Sequence, residues 1–362
     1  MFNKITSKPV LRVSEIKNFL FFSEARFKYP KGYRQAEWFF GGAHAIATVC
    51  EKVSKEKKGE IIVALPGFFC GQTIRFLRSM SIKLVFYQLG DALTPDFKNL
   101  EEQISADGID VFVLVHYFGA VKAQQDSKSF ADSYNAIFLE DAAHVMSYAD
   151  NHWQGDYIIL CPHKHFVSPP VALLIHKDSR KLRYGGALKF ANFPIFWMTK
   201  QLIRALFRQK VAPWGRVWNS DSEKIDAMLP SRHAINRAIY NLENYKSDRR
   251  LKKHNAMSLY DGLSKVDGWT PFQVASVSET PYLLAMICDD RNIARRRYGL
   301  LNARYPIVVQ WPDLPCEINE NEIVREQVTD LRDRVLYFPI HSQLDLDSWL
   351  QEITQIVNGK GF

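Results

Sequence analysis

Short apolar runs alternate with polar, helix-period segments along the first half of the chain. Glu60-Ile-Ile-Val-Ala-Leu65 is almost wholly apolar and stops at Pro66-Gly67, the pattern of a strand covered on both faces. Lys83–Tyr87, Asp110–His116, Ala136–Asp141, Tyr157–Leu160 and Val171–Ile175 repeat it. Between them the pattern predicts helices from Trp38 to about Ser54 (opened by Gly41-Gly42) and from about Gly71 to Met80. Two more start at Thr94-Pro95-Asp96, running to Ile104, and span Lys122–Ser133. This alternation predicts parallel βαβ units with helices on both faces of a sheet. Residues 1–35 read as a mixed lead-in. Ser222 to about Leu263 predicts one or two long helices, with Asn244–Lys253 as a solvated face. From Thr280 on, strands at Tyr282–Cys288 and Val335–Phe338 alternate with helices at Asp290–Asn302 and Leu346–Val357, a smaller α+β domain.

Composition adds the first exclusions. Of 362 residues, 47% are apolar and 13% aromatic, so the chain carries a core and is neither disordered nor collagenous. Five Cys form no disulfide framework, and their odd number favours reduced thiols and a cytoplasmic setting. The first residues show no uninterrupted apolar stretch with a cleavage site, and no run reaches the ~18 apolar residues of a membrane span.

The net charge of +8 is local. Nine bases and no acid lie between Ser179 and Asn219; without them, 38 bases face 39 acids. A near-neutral body with one basic segment argues against a general nucleic-acid binder. That segment also holds Phe190, Phe193, Phe196, Trp197, Phe207, Trp214 and Trp218. Lys200, Arg204 and Arg208 form one helical stripe, with Leu202, Ile203, Leu206 and Phe207 expected away from it. Three readings follow. It is a surface helix packed on the protein or a partner subunit, a helix on an anionic membrane surface at the inner face, or a site for a phosphate-rich ligand.

No dinucleotide, P-loop or nucleophile-elbow motif occurs. In an extended Cys161-Pro-His-Lys-His165, Cys161, His163 and His165 would share a face, but no fourth metal ligand is near, so no metal site is assigned. Lys164 and Asp141 offer more. Asp141 ends a buried strand, where open α/β sheets place ligand-binding groups, and a buried carboxylate there calls for a cation. Lys164 follows the next strand. An imine-forming Lys and an Asp paired with a pyridinium nitrogen are what pyridoxal phosphate requires. Its phosphate would lie on the helix opened by Gly41-Gly42-Ala43. Phe68 or Phe69 would stack on the ring. The plainer alternatives are an Asp141 paired with any base and an aromatic pair in the core.

These residues carry a resemblance to the DegT-type sugar aminotransferases, pyridoxal phosphate enzymes of fold type I. Its points are Gly41-Gly42-Ala43-His44-Ala45, Pro66-Gly-Phe-Phe-Cys-Gly71, His116-Tyr-Phe-Gly119, Glu140-Asp-Ala-Ala-His144, Gly155-Asp156, Cys161-Pro-His-Lys164 and Leu336-Tyr-Phe-Pro-Ile-His341. The resemblance implies a three-layer αβα large domain with a mainly parallel sheet over 1–245 and a small α+β domain over 246–362. It implies that Lys164 is the Schiff-base lysine, Asp141 the partner of the ring nitrogen and His144 a neighbour of the ring hydroxyl. Gly42 and Ala43 would bind the phosphate. The implied reaction transfers an amino group from glutamate to a keto group of a nucleotide-linked sugar, in a homodimer with its site at the subunit boundary.

Two departures stand out. Cys161 replaces the family's phosphate-binding Ser, and Ser168-Pro-Pro-Val-Ala172 replaces its glycine-rich turn. They motivate an alternative, a scaffold without cofactor that acts as a binding or assembly protein. His163 and His165 beside Lys164 motivate a second, a sugar dehydratase.

Overall fold

The computed structural model describes residues 8–21, 26–104, 108–146, 153–177, 189–206, 214–215, 218–224, 228–272, 280–304, 308–311, 313–344 and 346–357. The Ser179–Asn219 segment therefore lies partly outside the described residues. Its strands are β1 (Gln35–Phe39), β2 (Ile61–Pro66), β3 (Ile82–Tyr87), β4 (Val111–Val115), β5 (Ile137–Asp141), β6 (Tyr157–Leu160), β7 (Ala172–His176), β8 (Lys189–Phe190), β9 (Met228–Leu229), β10 (Trp269–Pro271), β11 (Leu283–Cys288) and β12 (Val335–Pro339). Its helices are α1 (Ile16–Leu20), α2 (Gly42–Lys57), α3 (Phe97–Gln103), α4 (Gln124–Ser133), α5 (Pro162–His165), α6 (Ile195–Leu206), α7 (Arg232–Glu243), α8 (Lys246–Leu263), α9 (Arg291–Arg304), α10 (Glu322–Arg334) and α11 (Leu346–Val357).

Seven strands form the main sheet in the order β1-β7-β6-β5-β4-β2-β3. β3, β2, β4, β5 and β6 run parallel; β7 and then β1 close one side antiparallel. β2, β4, β6 and β7 are buried at every position, as their unbroken apolar runs require. A second sheet, β10-β11-β12, is antiparallel. α8, α9 and α11 pack on it around Leu259, Leu263, Met286, Phe338, Trp349 and Ile353.

Three expected elements differ. Gln35–Phe39 is an edge strand paired with β7, so the helix starts at Gly42 rather than Trp38. Gly71–Met80 is no α-helix; it forms turns and one 3-10 turn at Leu77–Ser79. There Gly71 N–H donates to the Asp313 carbonyl (2.7 Å), which ties the segment to a distant part of the chain. The long helical region begins at Arg232, capped by Ser231, and not at Ser222. α10 and β10 are two further elements that the sequence reading did not assign, although Val324, Val328 and Leu331 of α10 have helical spacing.

The lead-in is tied to the far end of the chain. Val10 N–H donates to Gln343 Oε1 (3.0 Å), Gln343 Nε2 donates to the Val10 carbonyl (3.1 Å), and Arg12 Nη2 donates to the Gln343 carbonyl (3.0 Å).

Candidate active site

The carboxyl ends of the parallel strands place the chemistry. β5 ends at Asp141, and β6 is followed at once by Cys161 and α5. β4 leads into Tyr117-Phe118-Gly119, and β2 into Phe68-Phe69. This is the edge at which open α/β sheets bind ligands.

Asp141 is buried, and its Oδ1 accepts the Ala143 N–H (3.1 Å). Burial raises its pKa, opposed by the charge of Lys164, by that N–H and by His116. Lys164 therefore acts on Asp141 through space, and among the described residues no direct ion pair joins them. His163 and His165, flanking Lys164, are not among the groups that act on Asp141. Lys164 is the largest charge acting on it, with His116 a smaller one.

Glu140 anchors the strand end from behind. Its carboxylate is wholly buried and accepts four bonds: His116 Nε2 (2.8 Å), Gln124 Nε2 (2.7 Å), Gln154 N–H (2.8 Å) and Gly155 N–H (2.5 Å). Burial alone would raise its pKa; the His116 bond and charge and the other donors outweigh burial and hold it low. A Cβ at Gly155 would lie 3.0 Å from Glu140 Cγ and 2.8 Å from the Tyr157 carbonyl, so only glycine lets the turn before β6 approach so closely.

His144 is neutral, its pKa driven well down by burial and by the charges of Lys164 and Lys8. Its Nδ1 accepts the Phe118 N–H (3.3 Å), which leaves the proton on Nε2. The ring is sandwiched between Tyr282 (4.6 Å, 17°) and Phe118 (5.9 Å, 15°). Phe118 has φ of 55°, a conformation that bulky residues avoid and that marks a backbone held by its surroundings. Sequence reasoning missed Phe118, Tyr282 and Lys8. Phe118 lay in the His116-Tyr-Phe-Gly119 motif with no role given to it, while Tyr282 and Lys8 come from distant parts of the chain and carry no local signal.

Cys161 and the start of α2 meet. The Gly42 N–H points at the Cys161 sulfur, and a Cβ on Gly42 would stand 3.4 Å from it. Burial pushes the Cys161 thiol up to about 11, so it is a neutral weak donor. Ala43 N–H has no acceptor among the described residues, and no side chain caps α2. Helix geometry leaves such N–H groups free for an anion.

The segment after Lys164 takes its own path. Pro162–His165 is one helical turn, so the single-face arrangement of Cys161, His163 and His165 does not arise. His163 Nδ1 donates to the Val171 carbonyl (2.7 Å), which ties down the Ser168-Pro169-Pro170 loop. His165 Nδ1 accepts from Lys252 Nζ (3.1 Å), a buried ammonium whose pKa burial lowers to about 8. Phe68 stacks on Trp311 (4.5 Å, 29°) and lies 5.9 Å from Tyr117, whose hydroxyl donates to the Phe68 carbonyl. Phe69 is buried beside it and makes no ring contact among the described residues.

His144, His163 and His165 are all held neutral by burial, His163 at about 4. An unfolded histidine takes up a proton near pH 6.5. Below that pH the unfolded chain binds more protons than the fold, so stability falls as pH drops from about 6.5 toward 4. The thermal midpoint is expected to fall by roughly 5 °C or more between pH 7 and pH 5. Equal midpoints would show that these rings are not buried neutral.

No family model and no curated relative matches the chain. Solved structures do. It superposes on the Helicobacter pylori PseC, an aminotransferase involved in the biosynthesis of pseudoaminic acid, with a TM-score of 0.67 at 13% identity over 99% of this chain and 98% of that one. Bacillus subtilis NtdA with bound cofactor PMP gives 0.67 at 13% over 99% and 86%. A DegT DnrJ EryC1 StrS aminotransferase from Brucella abortus gives 0.61 at 13% over 96% and 88%. The fold is therefore that of the DegT-type sugar aminotransferases, with the mainly parallel sheet and second small sheet expected from the sequence.

Proposed function

We propose that this chain is a pyridoxal phosphate-dependent aminotransferase. In this reading it moves an amino group from glutamate to a keto group of a nucleotide-linked sugar, as a homodimer in the cytoplasm. The carrying observation is the placement of Lys164 and Asp141. Asp141 ends β5 and the half-buried Lys164 follows β6 at the same sheet edge; the Lys164 charge acts on Asp141, and the two are not paired directly. A heterocycle that offers a protonated ring nitrogen to Asp141 and a carbonyl to the Lys164 amine would satisfy both. The fold shared with sugar aminotransferases supports the substrate class.

The residues fit the cofactor. Gly42 and Ala43 N–H groups at the α2 terminus would hold the phosphate, with the Cys161 thiol a weaker third donor. When bound, pyridoxal phosphate supplies an electron sink conjugated to the substrate amine. With it bound, the Asp141 carboxylate would hold a proton on the ring nitrogen, His144 Nε2–H would be a donor to the ring hydroxyl oxygen, and Lys164 Nζ would be the acid and base that carries a proton in the 1,3-shift. Tyr282 and Phe118 fix the His144 plane.

The test is a visible spectrum. The purified protein with pyridoxal phosphate is expected to show the absorbance band of a lysine-bound cofactor. Glutamate should bleach that band, and Lys164→Ala should lack it. A protein that shows no band with the cofactor in excess would sink the proposal.

A further inference from the structure

Five large hydrophobic side chains face solvent on or beside one element. Phe190 is 45% exposed, Phe193 47%, Ile195 66%, Phe196 83% and Ile203 51%. α6 is docked through Trp197, whose ring stacks on Phe19 of α1 (5.5 Å, 22°), and through buried Gln201. Phe193 meets His233 (4.9 Å), which also meets Phe19 (4.9 Å). These contacts set the roll of the helix. Phe196, Lys200, Ile203 and Arg204, at helical offsets of zero, four, seven and eight, all turn outward. Ile203 thus lies within the basic stripe, and not away from it as the sequence reading had it. On and beside α1, Lys17, Val13 and Phe21 are also exposed. Residues 16–21 and 189–206 contain no acid.

A surface helix ordinarily buries its apolar stripe and exposes its charges. Here apolar and cationic side chains share the outward face. We propose that α6, with α1 beside it, lies on an anionic phospholipid surface. The tips of Phe196 and Ile203 enter the boundary between headgroups and acyl chains, and Lys200 and Arg204 extend to the lipid phosphates. The same face of a second copy is a poor match, because it would bring cations against cations with no acid between them. The association is peripheral: among the described residues no helix is long and apolar enough to cross a membrane. It stands apart from the cofactor chemistry.

The full chain is to be floated with vesicles of phosphatidylcholine alone and of phosphatidylcholine mixed with phosphatidylglycerol. Binding to the anionic vesicles only, weakened by salt, is expected. Lys200→Ala and Arg204→Ala together should lower partitioning roughly fivefold per charge removed. Phe196→Ser should weaken it and leave the salt dependence in place. All three positions are exposed, so thermal midpoints should match the parent. Equal recovery with both vesicle types, or variants that bind like the parent, overturns the proposal. So does a change in subunit number, by light scattering, in variants whose vesicle binding is unaltered. That result assigns the face to a subunit contact.

Discussion

Asp141→Asn is expected to cut amino transfer by about a hundredfold or more while leaving the protein as stable as before or more so. The two effects have one origin. Asparagine keeps the shape and an acceptor for the Ala143 N–H, but it removes the charge that would hold a proton on the ring nitrogen. That charge is also a burden on the fold. Burial raises the Asp141 pKa, so keeping its carboxylate ionised costs the folded state more than the unfolded chain. An acid whose folded pKa exceeds its unfolded value destabilises the fold above that pKa, and the deficit disappears as pH falls through it. Neutralising the side chain should therefore raise the thermal midpoint by about 2–4 °C for each kcal/mol relieved. Calorimetry and single-turnover spectra with glutamate measure the two sides separately. A variant that loses stability and keeps its rate would refute the assignment.

Glu140→Ala has the opposite signature. It strips the common acceptor from His116, Gln124, Gln154 and Gly155, and strands a buried imidazole with no anion. Breaking such a pair by removing one partner costs about 3–5 kcal/mol, which lowers the midpoint by roughly 10 °C. Glu140→Gln keeps one acceptor oxygen and should lose less. A midpoint within about 2 °C of the parent in Glu140→Ala would mean that the network is not holding the strand end.

The parts of the fold legible in the sequence were those with strong local signals. β2, β4 and β6 are unbroken apolar runs, and Asp141, Cys161 and Lys164 could be placed at strand ends from them. β1 was not legible, because Gln35-Ala-Glu-Trp-Phe39 has only an edge strand's mixed pattern and its identity comes from pairing with β7. The Gly71–Met80 segment was misread because its turns are held by partners far along the chain, Asp313 for Gly71 and Glu317 and Asn219 for Arg78, which leave no local signal. Glu140 sat in plain view beside Asp141, yet its role depends on His116, Gln124 and Gly155, which only the folded sheet gathers. Tyr282 shows the same limit. It precedes β11, and nothing in Thr280-Pro-Tyr-Leu announces a ring stacked on His144.

The bonds between Val10, Arg12 and Gln343 have a consequence for the order of events during synthesis. The first described residues find their partners only after residue 343 has left the ribosome. At about 5–20 residues per second, the lead-in waits on the order of half a minute after it emerges. During that interval the main sheet is already complete in sequence. Phe19, buried against Trp197 and His233, gains those partners once residue 233 has emerged, so the bonds to Gln343 are the last part of the lead-in to close and the last to be protected from a protease.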